Sequence, residues 1–97
     1  MSSAEARKCV RVRIEGRVQG VWFRAWTAEE AVGRGLRGWV RNRSDGSVEA
    51  QFCGPVASVE GMIEACRRGP PLARVAGLIQ AAVEDDGEPG FRQLPTT

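Results

Sequence analysis

The stretch VRVRIEGRVQGVWFRAW, Val10 to Trp26, holds a strand, a loop and the start of a helix in immediate succession. Val10, Val12 and Ile14 alternate with Arg11, Arg13 and Glu15, the period of a strand with one buried face, and this predicts a first strand over about residues 8–15. From Phe23 to Arg34 the period lengthens to that of a helix. Phe23, Thr27 and Ala31, or Ala28 and Val32, then fall on one side and Glu29 and Glu30 on the other, with Gly33 and Gly35 as the stop. Between strand and helix, Gly16 and Gly20 tolerate positive φ, so the loop can curl until successive backbone N–H groups converge on one anion. The helix start adds unpaired N–H groups and the positive end of its dipole. Arg24 in that first turn opposes the dipole unless an anion offsets it, and its planar guanidinium can hold two phosphate oxygens at once.

Outward from this stretch, Leu36–Asn42 and Ser47–Cys53 read as two strands joined by a hairpin at Ser44-Asp45-Gly46. Val56, Val59, Met62, Ile63 and Cys66 recur at helical spacing between Gly54-Pro55 and Gly69-Pro70-Pro71, where proline cannot continue the helix. Ala73–Val83 returns to a strand-like mix, and Glu84–Gly90 reads as a flexible surface turn. The order βαββαβ predicts an α+β, ferredoxin-like sandwich, an antiparallel sheet of four to five strands with two helices packed on one face.

The chain has 97 residues, enough for a single domain spanning 1–97 with its folded core over about 8–94. Its longest apolar runs are a few residues, too short to span a bilayer, and MSSAEARK lacks the apolar stretch of a signal peptide; the expected location is the cytoplasm. Three cysteines, Cys9, Cys53 and Cys66, without C-x-x-C spacing, are expected to be reduced and individually buried. With no histidine, the usual zinc ligand sets and any Ser-His or Cys-His pair are out of reach. Chemistry must then run on arginines, amides, backbone N–H groups, carboxylates and water. Residues 1–43 carry ten basic and four acidic side chains, a net +6, whereas residues 44–97 carry four and eight, a net −4. The anion-attracting half is the one with the glycine loop.

Three segments together, GRVQGVWFR (Gly16–Arg24), GWVRN (Gly38–Asn42) continuing into SDG (Ser44–Gly46), and GPPLARV (Gly69–Val75), resemble the acylphosphatase family over about Val10 to Leu94. The resemblance implies the ferredoxin-like fold, usually with a short fifth strand, and a hydrolase that splits the carboxyl-phosphate anhydride of an acyl phosphate into carboxylate and inorganic phosphate. It implies that Arg24 binds the phosphate and stabilises its charge, and that Asn42 orients the attacking water. Gly16, Arg17, Val18, Gln19, Gly20 and Val21 become cradle residues contributing backbone N–H groups. For Arg17 and Gln19, solvent exposure or loop bracing is an equal reading. No metal and no cofactor are expected. The expected partner is a small acyl phosphate, with inorganic phosphate or sulfate as a competing anion, and the expected state is a monomer with neither membrane nor nucleic acid bound.

One segment departs from the family pattern. Where an alternating Phe-x-Ile is usual, this chain reads Phe91-Arg92-Gln93-Leu94-Pro95, so either Leu94 takes the buried place through a slip or the strand is shorter. The alternative function is a non-catalytic ferredoxin-like module binding RNA or a small anionic ligand, with Arg11 and Arg13 on the open sheet face. An RNA-reading sheet needs aromatics at alternate central positions. The first strand has none, Phe52 shares the alternation of Val48 and Ala50, and Trp22, Trp26 and Trp39 read better as core packing or partial cover of the site.

Overall fold

The computed structural model describes residues 6–97, and its elements run β1 (Arg7–Arg17), α1 (Phe23–Gly33), β2 (Arg37–Asn42), β3 (Val48–Pro55), α2 (Val56–Arg68), β4 (Arg74–Val83) and β5 (Phe91–Gln93). The sheet order is β4-β1-β3-β2-β5. Each helix therefore crosses over a strand belonging to the other half, the interleaved βαβ arrangement expected from the element order. Neighbours are antiparallel from β4 to β2, while β5 joins β2 in parallel, so the five-stranded sheet is mixed. Among the described residues no helix is long and apolar enough to cross a membrane.

The period-2 alternation sorts the strands onto one core. Val10, Val12 and Ile14 of β1, Val48, Ala50 and Phe52 of β3 and Val40 of β2 are buried together under Phe23 and Ala31 of α1 and Val59, Met62, Ile63 and Cys66 of α2. Fully burying one such side chain is worth about 1.5–3 kcal/mol, so this shared layer fixes where the helices sit. Of the two stripes open in α1, Phe23, Thr27 and Ala31 are the buried one, and Val32 is left exposed.

The register carries both sequence motifs to one end of the sheet. Val48, at the start of β3, lies opposite Ile14 of β1 on one side and Asn42 of β2 on the other. The loop leaving β1 and the end of β2 are thus brought side by side with one strand between them.

The opposite face of the sheet has no helices, and its side chains cover one another. Arg11 donates to the Gln51 side chain at 2.9 Å, and Arg41 donates to Glu49 at 2.9 Å. Both guanidiniums stack over Trp39, 5.3 and 4.9 Å from its ring, and leave it 7% exposed. Arg13 pairs with Asp45 at 3.3 Å. The arginines and the aromatic that an RNA-binding face would present are thus already spoken for.

Two expectations change, on the cysteines and on residues 84–90, and of the two courses open to the last strand the shorter one is found. Cys9 and Cys53 are not separate thiols: they are directly opposed across β1 and β3, their Cα atoms 4.1 Å apart, and form a disulfide. Only Cys66 is a free, buried thiol, and burial pushes its pKa up to about 12. The last strand is short. Phe91 packs against the core and stacks on Phe52 at 5.8 Å, while Leu94 follows the strand and its N–H donates to the Val40 carbonyl at 2.8 Å. The exposed segment 84–90 is also anchored rather than free: Nη1 and Nη2 of Arg37 both donate to the Asp85 carboxylate, Nη1 also reaches the Glu88 carbonyl at 3.2 Å, and the Gly38 N–H donates to the Gly90 carbonyl at 3.0 Å. The Arg37 hydrogen bonds, helped by the Gly87 N–H, hold Asp85 down to a pKa of about 2.

Candidate active site

Helix α1 begins without a cap. Trp22 occupies the capping position with a left-handed backbone, φ 68°, and no side-chain hydrogen bond closes the first turn, which contains no acidic residue. The first N–H groups of the helix are left for a ligand, and the dipole makes an anion the favoured one. A bulky residue in the left-handed region costs on the order of 1–2 kcal/mol, and Trp22, 77% exposed, recovers little of that by burial.

In front of this helix start lies a pocket of about 380 Å³ lined by Val18, Gly20, Trp22, Phe23, Arg24, Ala25, Asn42 and Gln93. Arg24 and Asn42, two motifs and eighteen residues apart in sequence, line the same cavity. Both are half-buried. Among the described residues no carboxylate pairs with Arg24 and no group bonds the Asn42 side chain, whereas Arg11, Arg13, Arg37, Arg41 and Arg43 all hold partners. An unpaired guanidinium beside an unpaired amide and an uncapped helix is an arrangement suited to a phosphoryl group.

The cradle residues divide. Val18 and Val21 bury their side chains in the core, 1% and 4% exposed, which fastens the loop and leaves their backbones for any ligand. Gly20, with φ 75°, lines the pocket and nothing lies where its Cβ would be, so its glycine serves the backbone conformation. Gly16 and Arg17 lie within β1, outside the pocket. Gly16 sits at the register shift where β4 pairs with β1, and a Cβ there would collide with the Arg74 carbonyl oxygen. Gln19 braces: its amide donates to the carbonyls of Arg43 at 2.7 Å and Ser47 at 2.9 Å, tying the loop to the β2–β3 hairpin. That hairpin is itself set by Asp45, which accepts from the Ser47 N–H at 2.9 Å and hydroxyl at 2.6 Å. These two bonds, helped by Arg13 and Arg43, keep the Asp45 carboxyl below its ordinary pKa.

Sequence reasoning missed Gln93. It reaches the pocket because β5 runs parallel to β2 and sets Gln93 opposite Val40, two residues before Asn42. The backbone beyond continues along β2, with the Thr97 N–H donating to the Asn42 carbonyl at 3.1 Å and the Ser44 N–H to the Thr97 carbonyl at 2.8 Å. The signal available was Phe91 as the core-facing, partly buried residue of β5, which fixes Gln93 two positions on.

Behind the arginine near the hairpin, Glu49 accepts from both Arg41 and Arg43; burial pushes its pKa up, and the two guanidiniums outweigh it and hold it below the ordinary value. Arg43 is thereby engaged away from the pocket, and the free cation of the pocket is Arg24 among the described residues.

Fold and pocket define a ferredoxin-like domain with a pocket between the β1–α1 loop and the end of β2. The acylphosphatase family model matches residues 10–93. An acylphosphatase from Rhodospirillum rubrum is 58% identical over 89 residues, 92% of this chain and 98% of that protein. Among solved structures, an acylphosphatase from Coxiella burnetii superposes with a TM-score of 0.89 at 32% identity, covering 96% of this chain and all of that one. One from Bacillus subtilis gives 0.87 at 34% identity, covering 92% and 99%. The chain belongs to the acylphosphatase family, hydrolases that act on acid anhydrides.

Proposed function

We propose that the chain hydrolyses acyl phosphates by in-line attack of a water held by Asn42 on a phosphoryl group held by Arg24 and the backbone of residues 18–21, the part of the expected cradle that lies beyond β1. The observation that carries this reading is the pairing of Arg24 and Asn42, both without partners among the described residues, in one pocket at an uncapped helix start. The phosphoryl oxygens bind the guanidinium fork and the N–H groups of the loop and of α1. The Asn42 amide carbonyl accepts from the water and turns its lone pair toward phosphorus. As the O–P bond forms, the bond to the carboxylate oxygen breaks and the carboxylate leaves as an anion, which needs no general acid. The water's proton passes to a phosphate oxygen of the substrate itself, so no side-chain base is required. The transition state is loose, and positioning and charge stabilisation supply most of the acceleration.

In this reading the reaction needs neither metal nor cofactor, and inorganic phosphate or sulfate competes for the same cradle. The protein works as a monomer in the cytoplasm, where the Cys9–Cys53 bond is shielded from thiol attack because its sulfurs are covered, the residues being 6% and 1% exposed. Phosphate release from acetyl phosphate, measured with and without EDTA, tests the reading: equal rates are expected in both. Absence of turnover would refute the activity, and loss of turnover on chelation would refute its independence of metal.

A further inference from the structure

In the reading above, the phosphoryl group takes the part of the pocket of about 380 Å³ that Arg24, Asn42 and the start of α1 line. The acyl group must leave that nest toward solvent. Of the apolar residues on its way, Val18 and Phe23 are almost wholly buried and Ala25 is small. Trp22 alone offers a broad, exposed apolar surface to the pocket, and among the described residues it is the one non-glycine residue with positive φ. Among the described residues, the most exposed large hydrophobic side chain thus stands in an unfavourable backbone conformation on the lining of this pocket. A strained, exposed residue outside the core is a functional candidate.

We propose that Trp22 is the acyl-binding platform of this enzyme, and that the site favours acyl phosphates whose acyl group has an aromatic or comparably broad apolar face. An aryl ring next to the carboxyl-phosphate bond stacks on the indole while the phosphoryl group sits in the cradle, so the contact forms without moving either end. A small acyl group such as acetyl is too short to cover the indole and gains little from it. The proposal rests on the acyl phosphate reading above.

The test compares benzoyl phosphate with acetyl phosphate in the wild-type protein, Trp22→Gly and Trp22→Phe. Glycine adopts a φ of 68° without strain, so the fold is not put at risk. The benzoyl-to-acetyl ratio of kcat/KM is expected to fall about tenfold in Trp22→Gly, mainly through KM for benzoyl phosphate, and to be largely kept in Trp22→Phe. Comparing ratios between variants removes the intrinsic reactivity of the two substrates. An unchanged ratio, or an equal fall on both substrates, would show that the indole only shapes the loop and would overturn the proposal. Failure of the wild-type protein to turn over either substrate would be a different result, sinking the acyl phosphate reading and this proposal with it.

Discussion

The side-chain amide of Gln19 donates to the main-chain carbonyl of Arg43 at 2.7 Å, joining the β1–α1 loop to the residue immediately after Asn42. A second bond, to Ser47 at 2.9 Å, closes the same link from the far side of the hairpin. The group proposed to hold the phosphate and the group proposed to hold the water are thereby kept in register by one side chain that lies outside the pocket lining. Gln19→Ala should lower kcat between about tenfold and a hundredfold, since misplacement by about an ångström costs that much, while the melting temperature falls only modestly. Steady-state kinetics beside a thermal melt separates the two; an unchanged kcat would mean that the loop and hairpin hold their places without the link.

Asn42→Ala should remove most of kcat, by about 3 kcal/mol of transition-state stabilisation, and leave the inhibition constant of inorganic phosphate close to wild type. The division follows from the two proposed roles, water for Asn42 and anion for Arg24. Parallel loss of phosphate inhibition and rate would assign Asn42 to the anion instead.

Removing the Cys9–Cys53 bond, by reduction or by Cys9→Ser, should cost about 2–4 kcal/mol of stability, because the bond closes a loop spanning 44 residues of sequence. The rate should be unaffected below the melting range, since the bond joins the start of β1 to the end of β3, the end of the sheet away from the pocket. Urea unfolding with and without reductant reads the first, and acyl phosphate turnover the second. Cys66, with its pKa pushed up to about 12, should stay unmodified by alkylating agents in the native protein under either condition.

Asp85 gives a pH dependence of determined sign. Its ordinary pKa of 3.8 falls to about 2 in the folded protein, so its pairing with Arg37 contributes fully above pH 3.8 and fades as pH drops toward 2. Wild type should therefore be more stable than Asp85→Asn near neutral pH, and the two unfolding curves should converge across that acid window. A difference that persists at the bottom of the window would detach the stabilisation from Asp85 ionisation.

How far the sequence reached differs from element to element, for physical reasons. Val10-Val12-Ile14 and the spacing of Val59, Met62, Ile63 and Cys66 report burial directly, and both elements form where that pattern lies. The pocket was legible because Arg24 and Asn42 sit at ends of elements whose order sets their adjacency. The disulfide was not, because Cys9 and Cys53 face each other only once the β1–β3 register is known. Gly16 looked like part of the loop, but β4 extends the pairing of β1 through Arg17, a tertiary effect invisible in a local pattern. The anchoring of residues 84–90 depends on Arg37 meeting Asp85 across 48 positions, and a run rich in Asp, Glu, Gly and Pro gives no sign of it.

The central claim is that one unpaired guanidinium at the start of α1 both binds and activates the phosphoryl group. The most direct measurement is the turnover of benzoyl phosphate by Arg24→Ala in chelated buffer, together with its affinity for inorganic phosphate. Turnover should fall by at least about a hundredfold and phosphate inhibition should disappear, with the melting temperature unchanged or slightly raised because a first-turn charge opposing the dipole is gone. Near-normal turnover or undiminished phosphate inhibition in that variant would contradict the account.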